Sequence, residues 1–546
     1  MRRFFAWMLA LLMTVLCCGC GEDDNTVKGA GYSFSYTLVG NPDTLDPQLA
    51  DNASAMTVLC NLFEGLLVLD ADGKLQNGGA ESYEISEDHL RYTFRLRKDS
   101  FWYQSRAEDG AFGKEAAVPV TAHDYVFAFQ RLFSFSYEAP NRAAFACIKN
   151  AQKIMDHGLA PSNIGVRALS DYELEFELDY PNNGFLLLLT SCAAMPCNEA
   201  FFESTKGRYG LDEDSVIGNG SFSLQRWLYD PYGKYNVIQL TRNVLNHETR
   251  RVMPSEVNLY IEETDADAER IFTAGNADCY VTTQNSLIGK ADYHAESDYS
   301  LTLGLIANPE SHFADENVLS ALSLTLDRSQ YPDGGNDLKP ASGILPPAVS
   351  LLNKSCRELI ADSAYQTYDP PEADRLYHKA MRRLLISELE EGKVMVCAGM
   401  MDYSVLRAVF ELWTAELDLH MTIEEVPENE YESRLRSGDY MLALYGISGA
   451  YHDAAAVLEQ FITDPVLHCS GKSKVRALLE RAAAVPNLSD SVELYRQAET
   501  EILADHCFIP LFYKQRYLIC KNGVSDVVFN PFSGQVRFTD ARYYVS

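Results

Sequence analysis

The chain has 546 residues, 47% of them hydrophobic, and a formal net charge of -31 at pH 7. Because binding to phosphates requires clustered Lys and Arg, this excess of acidic residues excludes a nucleic-acid-binding protein. The length exceeds what one hydrophobic core can organise, so two or three domains are expected.

The N-terminus has the layout of a secretory signal. Two arginines precede an apolar or small run, 4–16, which ends in the Cys-Cys-Gly-Cys motif at 17–20. The run is shorter than the ~20 apolar residues of a membrane-spanning helix. Its end resembles a bacterial lipobox, although Cys17 stands where Leu is usual. We expect 1–19 to be a signal peptide and Cys20 to be lipidated; an ordinary cleaved signal is the alternative.

The segment after Cys20 is polar and acidic and contains little that could be buried. Such a composition favours a flexible tether over residues 20–31, with the folded body beginning near Tyr32. No later segment is long and apolar enough to span a membrane.

Ten cysteines lie beyond the signal, scattered through a large body, which is not the pattern of a disulfide-rich miniprotein. Cys192 and Cys197 are close in sequence but do not form the C-x-x-C of a redox or zinc motif. Buried free thiols are the favoured interpretation. Export would permit disulfides, whose pairing the sequence does not assign.

Alternating strand-like and helix-like stretches, without a repeat, predict a mixed α/β architecture. Apolar and polar residues alternate at 90–97 and 172–178, as in half-buried strands. A capping Thr121 opens one predicted helix. Helical periodicity also marks 372–385 and 492–503.

Two short segments allow more local structural predictions. Asn-Leu-Phe-Glu-Gly-Leu at 61–66 is interpreted as the end of an amphipathic helix, with Gly65 as its stop. Ile509-Pro510-Leu511 is interpreted as a short extended segment at a sheet edge, because Pro lacks a backbone donor.

A succession of motifs runs through almost the whole mature chain. In order they are Asn-Pro-Asp-Thr-Leu-Asp-Pro at 41–47, Asn-Leu-Phe-Glu-Gly-Leu at 61–66, Asp-x-Asp-Gly at 70–73, Tyr-Thr-Phe-x-Leu-Arg at 92–97, Val-Thr-Ala-x-Asp-Tyr at 120–125, Gly-Asn-Gly-Ser-Phe at 218–222 with Trp227, Arg242-Asn243, Phe-x-x-Gly-x-x-Asp at 272–278, Phe313-x-Asp315, Ala321-Leu322, Asp327-Arg328, Glu499-x-x-Ile-Leu at 499–503 and Ile-Pro-Leu-Phe at 509–512. Each is weak alone. Their joint order resembles the family 5 extracytoplasmic solute-binding proteins, the oligopeptide- and dipeptide-binding group.

The resemblance implies an α/β fold, a two-lobed periplasmic-binding-protein-like clamp (type II, cluster C) with a third domain. Domain I would be discontinuous, and the expected boundaries are 32–64, 196–281 and 505–546 for domain I, 65–195 for domain II and 282–504 for domain III. A bound peptide would add as an extended strand as the lobes close by hinge motion.

The resemblance also implies two segments that flank the ligand. The first contains Asp51, Asn52 and Ala53, for which a plain acidic surface loop is the alternative. The second contains Tyr445, Gly446, Ile447, Ser448, Gly449, Ala450 and Tyr451, and Asp453 follows it.

The second segment departs from the family pattern at two positions. Ala450 stands where peptide-binding members have an Asp for the ligand's ammonium group, and Ile447 stands where Trp is common. A charge-assisted bond of this kind contributes about 1.5–3 kcal/mol. Asp453 or Asp51 could supply the charge; otherwise the ligand has a blocked terminus or is not a peptide.

Another departure lies between Trp102 and Val120, where the chain is about eight residues longer than the usual family turn. We interpret the extra residues as an enlarged surface loop, with a lip on the ligand cleft as the alternative.

Enzymatic motifs are missing from the sequence. The histidines form no H-E-x-x-H pattern, no G-x-S-x-G occurs, and Gly471-Lys472-Ser473 lacks the first glycine of a phosphate-binding loop, Val466 standing in its place. We therefore expect no catalytic residues, no metal and no cofactor.

The sequence thus predicts a monomeric extracytoplasmic lipoprotein, on the bacterial cell surface or in the periplasm, attached to the membrane only by its lipid. It would capture oligopeptides for the permease subunits of an ABC importer and would not be an enzyme. The alternatives are a non-peptide solute, such as a nickel complex, haem or a sugar, or a secreted enzyme or adhesin on the same scaffold.

Overall fold

The structure is a computed structural model of the full chain. It describes residues 26–27, 31–70, 73–107, 110–136, 139–182, 184–233, 235–331, 337–351, 354–360, 368–449, 453–485 and 488–545. The expected signal peptide and the lipidation candidate Cys20 lie outside these residues. Thr26–Val27, within the predicted tether, forms a short strand paired with Tyr544 and Val545.

A large mixed sheet forms the centre of the molecule. Its strands lie in the order Phe222–Leu228, Val237–Arg242, Glu256–Glu262, Ser33–Val39, Cys279–Thr282, Ile509–Lys521, Tyr293–Ala307, Leu442–Ile447, Gly392–Cys397 and Met421–Val426, and Leu338–Pro340 pairs in addition with Ile509–Lys521. Ser33–Val39 is parallel to both of its neighbours. Strands distant in sequence therefore meet in one sheet.

Two long strands, Tyr293–Ala307 and Ile509–Lys521, join the halves of this sheet and are called the linking strands below. They pair antiparallel from Tyr293↔Lys521 to Leu305↔Ile509. Cys279–Thr282 pairs with one end of Ile509–Lys521, and Leu442–Ile447 pairs with the opposite end of Tyr293–Ala307. The sheet of predicted domain I thus continues without a break into predicted domain III.

A separate four-stranded antiparallel sheet lies within predicted domain II. Its order is Ala80–Ile85, Arg91–Leu96, Glu173–Glu177 and Val166–Ser170. Phe94 lies opposite Leu174, and both are buried while their neighbours along each strand are more exposed. The alternation of the sequence therefore predicted both strands correctly.

The remaining strands are short: Leu67–Leu69, Leu75–Asn77, Phe101–Trp102, Val118–Pro119, Ser350–Leu351, Lys354–Ser355, Val524–Ser525, Val528–Phe529, Val536–Arg537 and Arg542–Val545. The α-helices are Ala53–Leu62, Ala122–Leu132, Ala151–Met155, Phe185–Leu188, Glu199–Ser204, Asp265–Thr273, Glu316–Leu324, Cys356–Leu359, Pro370–Leu384, Tyr403–Leu417, Glu428–Ser437, Ala454–Leu458, Gln460–Thr463, Lys472–Ala484 and Leu488–Ala504.

Three predicted helices are confirmed, and their starts have local causes. Ala122–Leu132 begins after Thr121, whose backbone N–H donates to the Asp124 carboxylate over 2.7 Å. Pro370–Leu384 begins after Asp369, whose side chain accepts from the backbone of Glu372. Leu488–Ala504 contains the third predicted segment. None of the described helices has the length and apolarity needed to cross a membrane.

The predicted helix stop at Gly65 is wrong. The helix ends at Leu62, and Phe63 is already extended, with φ -118° and ψ 153°. Gly65 does not take a left-handed φ. A Cβ atom there would lie 3.2 Å from Met195 Sδ, so close packing and not helix termination explains this glycine.

The edge position predicted for Pro510 is also wrong. It lies in a central linking strand, opposite Gly304, where the ladder shifts register between Leu303 and Gly304. The bulge accommodates the missing donor of Pro510. Its carbonyl accepts from the Arg328 guanidinium over 3.1 Å.

The cysteines behave largely as expected. Cys192 and Cys197 are buried free thiols, which confirms that interpretation. A disulfide joins Cys469 to Cys507 near the C-terminal end of the helix Leu488–Ala504. Their separation in sequence gave no signal for this pairing.

The long segment after Trp102 packs against predicted domain I. Ser105 donates to the Leu224 carbonyl over 3.2 Å, and Arg106 pairs with Glu213 and Asp214 at 3.1 Å each. These contacts favour the surface-loop interpretation over a lip on the cleft.

Two buried ion pairs hold elements that are distant in sequence. Arg131 contacts Asp46 and also donates to Gln48 Oε1 over 2.6 Å, which ties predicted domain II to the 41–47 motif. In predicted domain III the fully buried Glu499 pairs with Arg357 at 2.6 Å and accepts two backbone N–H groups at 344–345.

We predict that Glu499→Ala lowers the free energy of unfolding by about 3–5 kcal/mol, because it leaves a buried guanidinium and two backbone donors unpaired. Urea unfolding followed by circular dichroism measures the change. Glu493→Ala on the same helix is the matched control, since its pair with Arg496 is solvent-exposed and contributes at most about 1 kcal/mol. Equal losses for the two variants would contradict the role of Glu499.

Candidate functional site

A cavity of about 970 Å³ lies between the three predicted domains. Its wall contains residues of the 51–64 and 528–540 segments, of the 140–145 and 188–195 segments, and of the 448–463 segment. Its volume is at the upper end of the ~300–1,000 Å³ that ligand pockets span. The space is therefore large enough to hold a solute several residues long.

The wall of the cavity is acidic. Its charged residues are Asp51, Glu64, Asp70, Glu248, Glu459 and Asp540, against Arg251 and Arg537. Arg251 is already paired with Asp540 at 2.8 Å and with Glu248 at 3.4 Å. The cavity thus favours cationic or zwitterionic groups over anions.

Glu64 is positioned by the Gly-Asn-Gly motif at 218–220. Asn219 accepts from the Glu64 N–H over 3.0 Å and donates to the Glu64 carbonyl over 2.9 Å. A Cβ at Gly218 would lie 2.1 Å from the Leu62 carbonyl oxygen, so only glycine permits this approach. The motif therefore fixes the chain just past the helix Ala53–Leu62.

His247 stands behind Glu64, with its Nε2 atom 2.9 Å from Glu64 Oε2. Burial of the imidazole opposes its protonation. The hydrogen bond to Glu64 and the charge of that carboxylate outweigh burial, and the pKa of His247 is raised. The pair fixes the position of the Glu64 side chain in the cavity wall.

The first predicted segment divides into two roles. Asp51 and Ala53 line the cavity. The Asn52 side chain instead accepts from the Ala55 N–H over 2.8 Å and caps the helix Ala53–Leu62. Asn52 thus orients its neighbours towards the cavity.

Only part of the second predicted segment reaches the cavity. Ser448 and Gly449 line it. Ile447 is fully buried in the core, and the Tyr445 hydroxyl donates to Asp464 over 2.6 Å. Ala450 and Tyr451 lie outside the described residues.

The strand Leu442–Ile447, which contains Gly446, leads into the cavity wall. One side pairs with a linking strand through Thr302↔Ile447 and Leu303↔Gly446. On the other side the ladder to Gly392–Cys397 includes only Leu442 and Ala443. Beyond Ala443 the strand is therefore paired on one side only, and its other edge has no ladder partner. An added peptide strand requires such an open edge.

Asp453 lies at the start of the helix Ala454–Leu458, where its carboxylate accepts from the Ala455 N–H over 2.6 Å. It is not among the residues that line the cavity. Its carboxylate therefore has a structural role as a helix cap.

Glu459, which the sequence did not single out, follows that helix directly and lines the cavity. Within the described parts of the chain its carboxyl forms neither an ion pair nor a hydrogen bond. Burial, with the nearby charge of Asp453, raises its pKa to about 8. The only signal for it in the sequence is a lone acid between Leu458 and Phe461.

Arg537 is a second missed residue. It lines the cavity, donates to the Leu69 carbonyl over 2.8 Å, and its buried Nε atom has no hydrogen-bond partner among the described residues. Its strand pairing, Val528↔Arg537, sets the guanidinium in the wall. No motif marks it in the sequence.

Comparison with known proteins identifies the architecture. Residues 74–466 match the model of the bacterial extracellular solute-binding proteins, family 5 middle region. A probable deoxycholate-binding periplasmic protein of Escherichia coli is 25% identical, over 94% of each chain. The oligopeptide-binding protein OppA of Bacillus subtilis is 22% identical, over 99% of each chain.

A solved structure confirms the predicted fold. Peptide-bound OppA of Listeria monocytogenes has a TM-score of 0.76 at 22% identity, over 95% of this chain and 100% of that one. The chain therefore has the predicted α/β two-lobed clamp fold.

We predict that the pair of His247 and Glu64 stabilises the fold most at low pH. The pKa of His247 is higher in the folded state than in the unfolded state. The pair therefore makes its full contribution to the free energy of unfolding below the unfolded-state pKa, and this contribution is lost as pH rises through the folded-state pKa. The difference in unfolding midpoint between wild type and His247→Gln should be larger at about pH 5.5 than at about pH 8.5. Differential scanning calorimetry measures it.

His378→Gln is the control, because that histidine is exposed beside Asp374 and such pairs contribute little. A midpoint difference for His247→Gln that grows with pH would contradict the assignment.

Proposed function

Because the chain belongs to the family 5 bacterial extracellular solute-binding proteins, we propose that it captures oligopeptides in the cavity between its lobes and delivers them unchanged to the permease of an ABC importer. The family is an extracytoplasmic transport family. The observation that supports a peptide is the segment after the strand Leu442–Ile447: this strand lacks a ladder partner on one side beyond Ala443, and the Ser448 and Gly449 that follow it line an acidic cavity of about 970 Å³.

The proposal includes attachment of a monomer to the membrane through a lipid on Cys20. Peptide backbone groups would bond along the segment that ends in Ser448 and Gly449, so affinity would not require a particular peptide sequence. Asp51 and Ala53 would face the ligand from the opposite wall.

The charge that Ala450 lacks is supplied, in this proposal, by Glu459. It lines the cavity from the same region of the chain, and its carboxyl forms neither an ion pair nor a hydrogen bond among the described residues, although the charge of Arg476 acts on it. Asp453 is occupied as a helix cap. Glu459 is thus available to a ligand ammonium group.

Incubation of the purified protein with a peptide mixture, followed by native mass spectrometry, tests the function. Retained intact peptides support it, whereas cleavage products or no retained peptide contradict it. Deoxycholate is the discriminating non-peptide ligand, because a relative is named for it and its carboxylate would be repelled by the acidic wall. Nickel complexes, haem and sugars are tested in the same way as further non-peptide ligands.

We predict that Glu459→Gln weakens binding of a peptide with a free amino terminus by about ten- to a hundredfold, the loss of a charge-assisted bond of about 1.5–3 kcal/mol. Binding of the N-acetylated peptide should change by less than about threefold. Isothermal titration calorimetry measures both.

Asp453→Asn is the matched control for this comparison. Asn keeps an acceptor for the helix cap, so binding of the acetylated peptide should not change. Loss of the Asp453 charge lowers the pKa of Glu459, so the free peptide should bind at least as tightly as to the wild type. If Asp453→Asn weakened binding of only the peptide with a free amino terminus, and Glu459→Gln did not, Asp453 and not Glu459 would pair with the ammonium group.

We further predict a pH dependence. Because burial and Asp453 raise the pKa of Glu459 to about 8, the carboxyl is protonated in the empty cavity below that pH. Pairing with an ammonium group then releases a proton, so affinity for the free peptide should fall as pH drops from about 8 to about 6, by at most about tenfold per unit. Isothermal titration calorimetry in buffers of different ionisation enthalpy measures the number of protons that binding releases.

The acetylated peptide should release no proton under the same conditions. Identical pH slopes for the free and acetylated peptides would show that Glu459 does not pair with the ammonium group.

A further inference from the structure

Four side chains form a row across the large sheet, and none of them lines the cavity. Tyr36 lies in register with Cys279, Cys279 with Cys520, and Cys520 with His294. Residues directly opposite each other on adjacent strands project from the same face, so the row places two thiols and an imidazole side by side.

The ladder geometry shows how close the two cysteines are. The backbone N–H of Lys521 donates to the Asp278 carbonyl over 3.0 Å, so that pair is hydrogen-bonded. Pairs alternate along an antiparallel ladder, and the next pair, Cys279 and Cys520, is therefore the non-hydrogen-bonded kind, with Cα atoms about 4.5 Å apart. That spacing lies within the ~4.4–6.8 Å range of disulfides.

The two thiols are free and lie on directly opposite residues of adjacent strands. Cys279 and Cys520 are 0% and 2% exposed, and each thiol affects the pKa of the other. The hydrogen bond from Cys279 lowers the pKa of Cys520 to about 7, and the hydrogen bond from His294 acts in the same direction. His294 itself is exposed, so solvent reaches the cluster beside Cys520.

We propose that Cys279 and Cys520 are an oxidisable dithiol, which a peroxide small enough to enter beside His294 closes into a cross-strand disulfide. The site is independent of peptide capture. An extracytoplasmic location supplies an environment in which such a bond persists.

The reaction balances with peroxide as the two-electron oxidant. The Cys520 thiolate attacks one peroxide oxygen, the O–O bond breaks, and the departing hydroxide takes a proton from the His294 imidazolium to form water. The Cys279 sulfur then attacks the Cys520 sulfenic acid. The S–O bond breaks, and the second hydroxide takes the Cys279 proton and leaves as water.

The other free thiols of the described chain lack this combination. Burial raises the pKa of Cys60 and of Cys147 to about 12, which keeps both protonated. Cys147 therefore serves as an internal control for nonspecific oxidation.

The test treats the reduced full-length protein with hydrogen peroxide, blocks remaining thiols by alkylation, and maps the digest by mass spectrometry. The expected result is a peptide containing Cys279 linked to one containing Cys520, two hydrogens lighter than the sum, while Cys147 remains alkylated. The link should disappear on reduction with dithiothreitol.

Variants separate the chemistry from the fold. Cys279→Ser should leave Cys520 as a sulfenic acid that dimedone traps, and His294→Gln should slow the link about tenfold by lowering the thiolate fraction of Cys520. His123→Gln, at an exposed histidine, should leave the rate unchanged.

Full alkylation of both cysteines after peroxide treatment would overturn the proposal, as would oxidation of Cys520 to a sulfinic acid without a link. The peptide map of the wild-type protein shows whether the disulfide forms, even if the serine variant does not fold. None of these readouts depends on a ligand, so failure here is distinguishable from failure of the transport proposal.

Discussion

The antiparallel pairing of the linking strands, Tyr293–Ala307 with Ile509–Lys521, is the constraint on which the other features depend. These strands are the only part of the described large sheet that touches both of its halves. Their ladder fixes the strand Leu442–Ile447 on one side and Cys279–Thr282 on the other. Without it, neither the cavity wall at Ser448 nor the cysteine row would have a defined position.

The second lobe is attached by different means. Arg131 of predicted domain II is buried against Asp46, lies 4.1 Å above the Phe202 ring and donates to Gln48. A buried guanidinium is strongly destabilising without a paired carboxylate, so the contact with Asp46 also specifies where the 41–47 segment lies. Asp51 lies four residues after that segment, so the contact of Arg131 with Asp46 also helps to position a residue of the cavity wall.

The sequence predicted what depends on local order. Alternation identified the strands around Phe94 and Leu174, and the capping residue Thr121 identified the helix that follows it. Pro510 and Gly65 were misjudged because a bulge at Gly304 and a contact with Met195 decide them, and both partners are remote in the sequence. Glu459 was missed for the same reason, since a lone acid between two short helices becomes a candidate site only because segments remote in the sequence surround it.

If Glu459 pairs with the ligand as proposed, its electrostatics would let one carboxyl serve both capture and release. Removing a carboxylate from water without a partner is unfavourable, so in the closed and empty cavity the group is better protonated. A ligand ammonium restores the charged form by pairing with it, and the bond is strong because little water competes. Opening of the lobes returns water to the carboxyl and weakens the same bond. In the proposed function, an acid at the interface between the lobes would thus couple affinity to closure, which a carboxylate exposed in both states could not do.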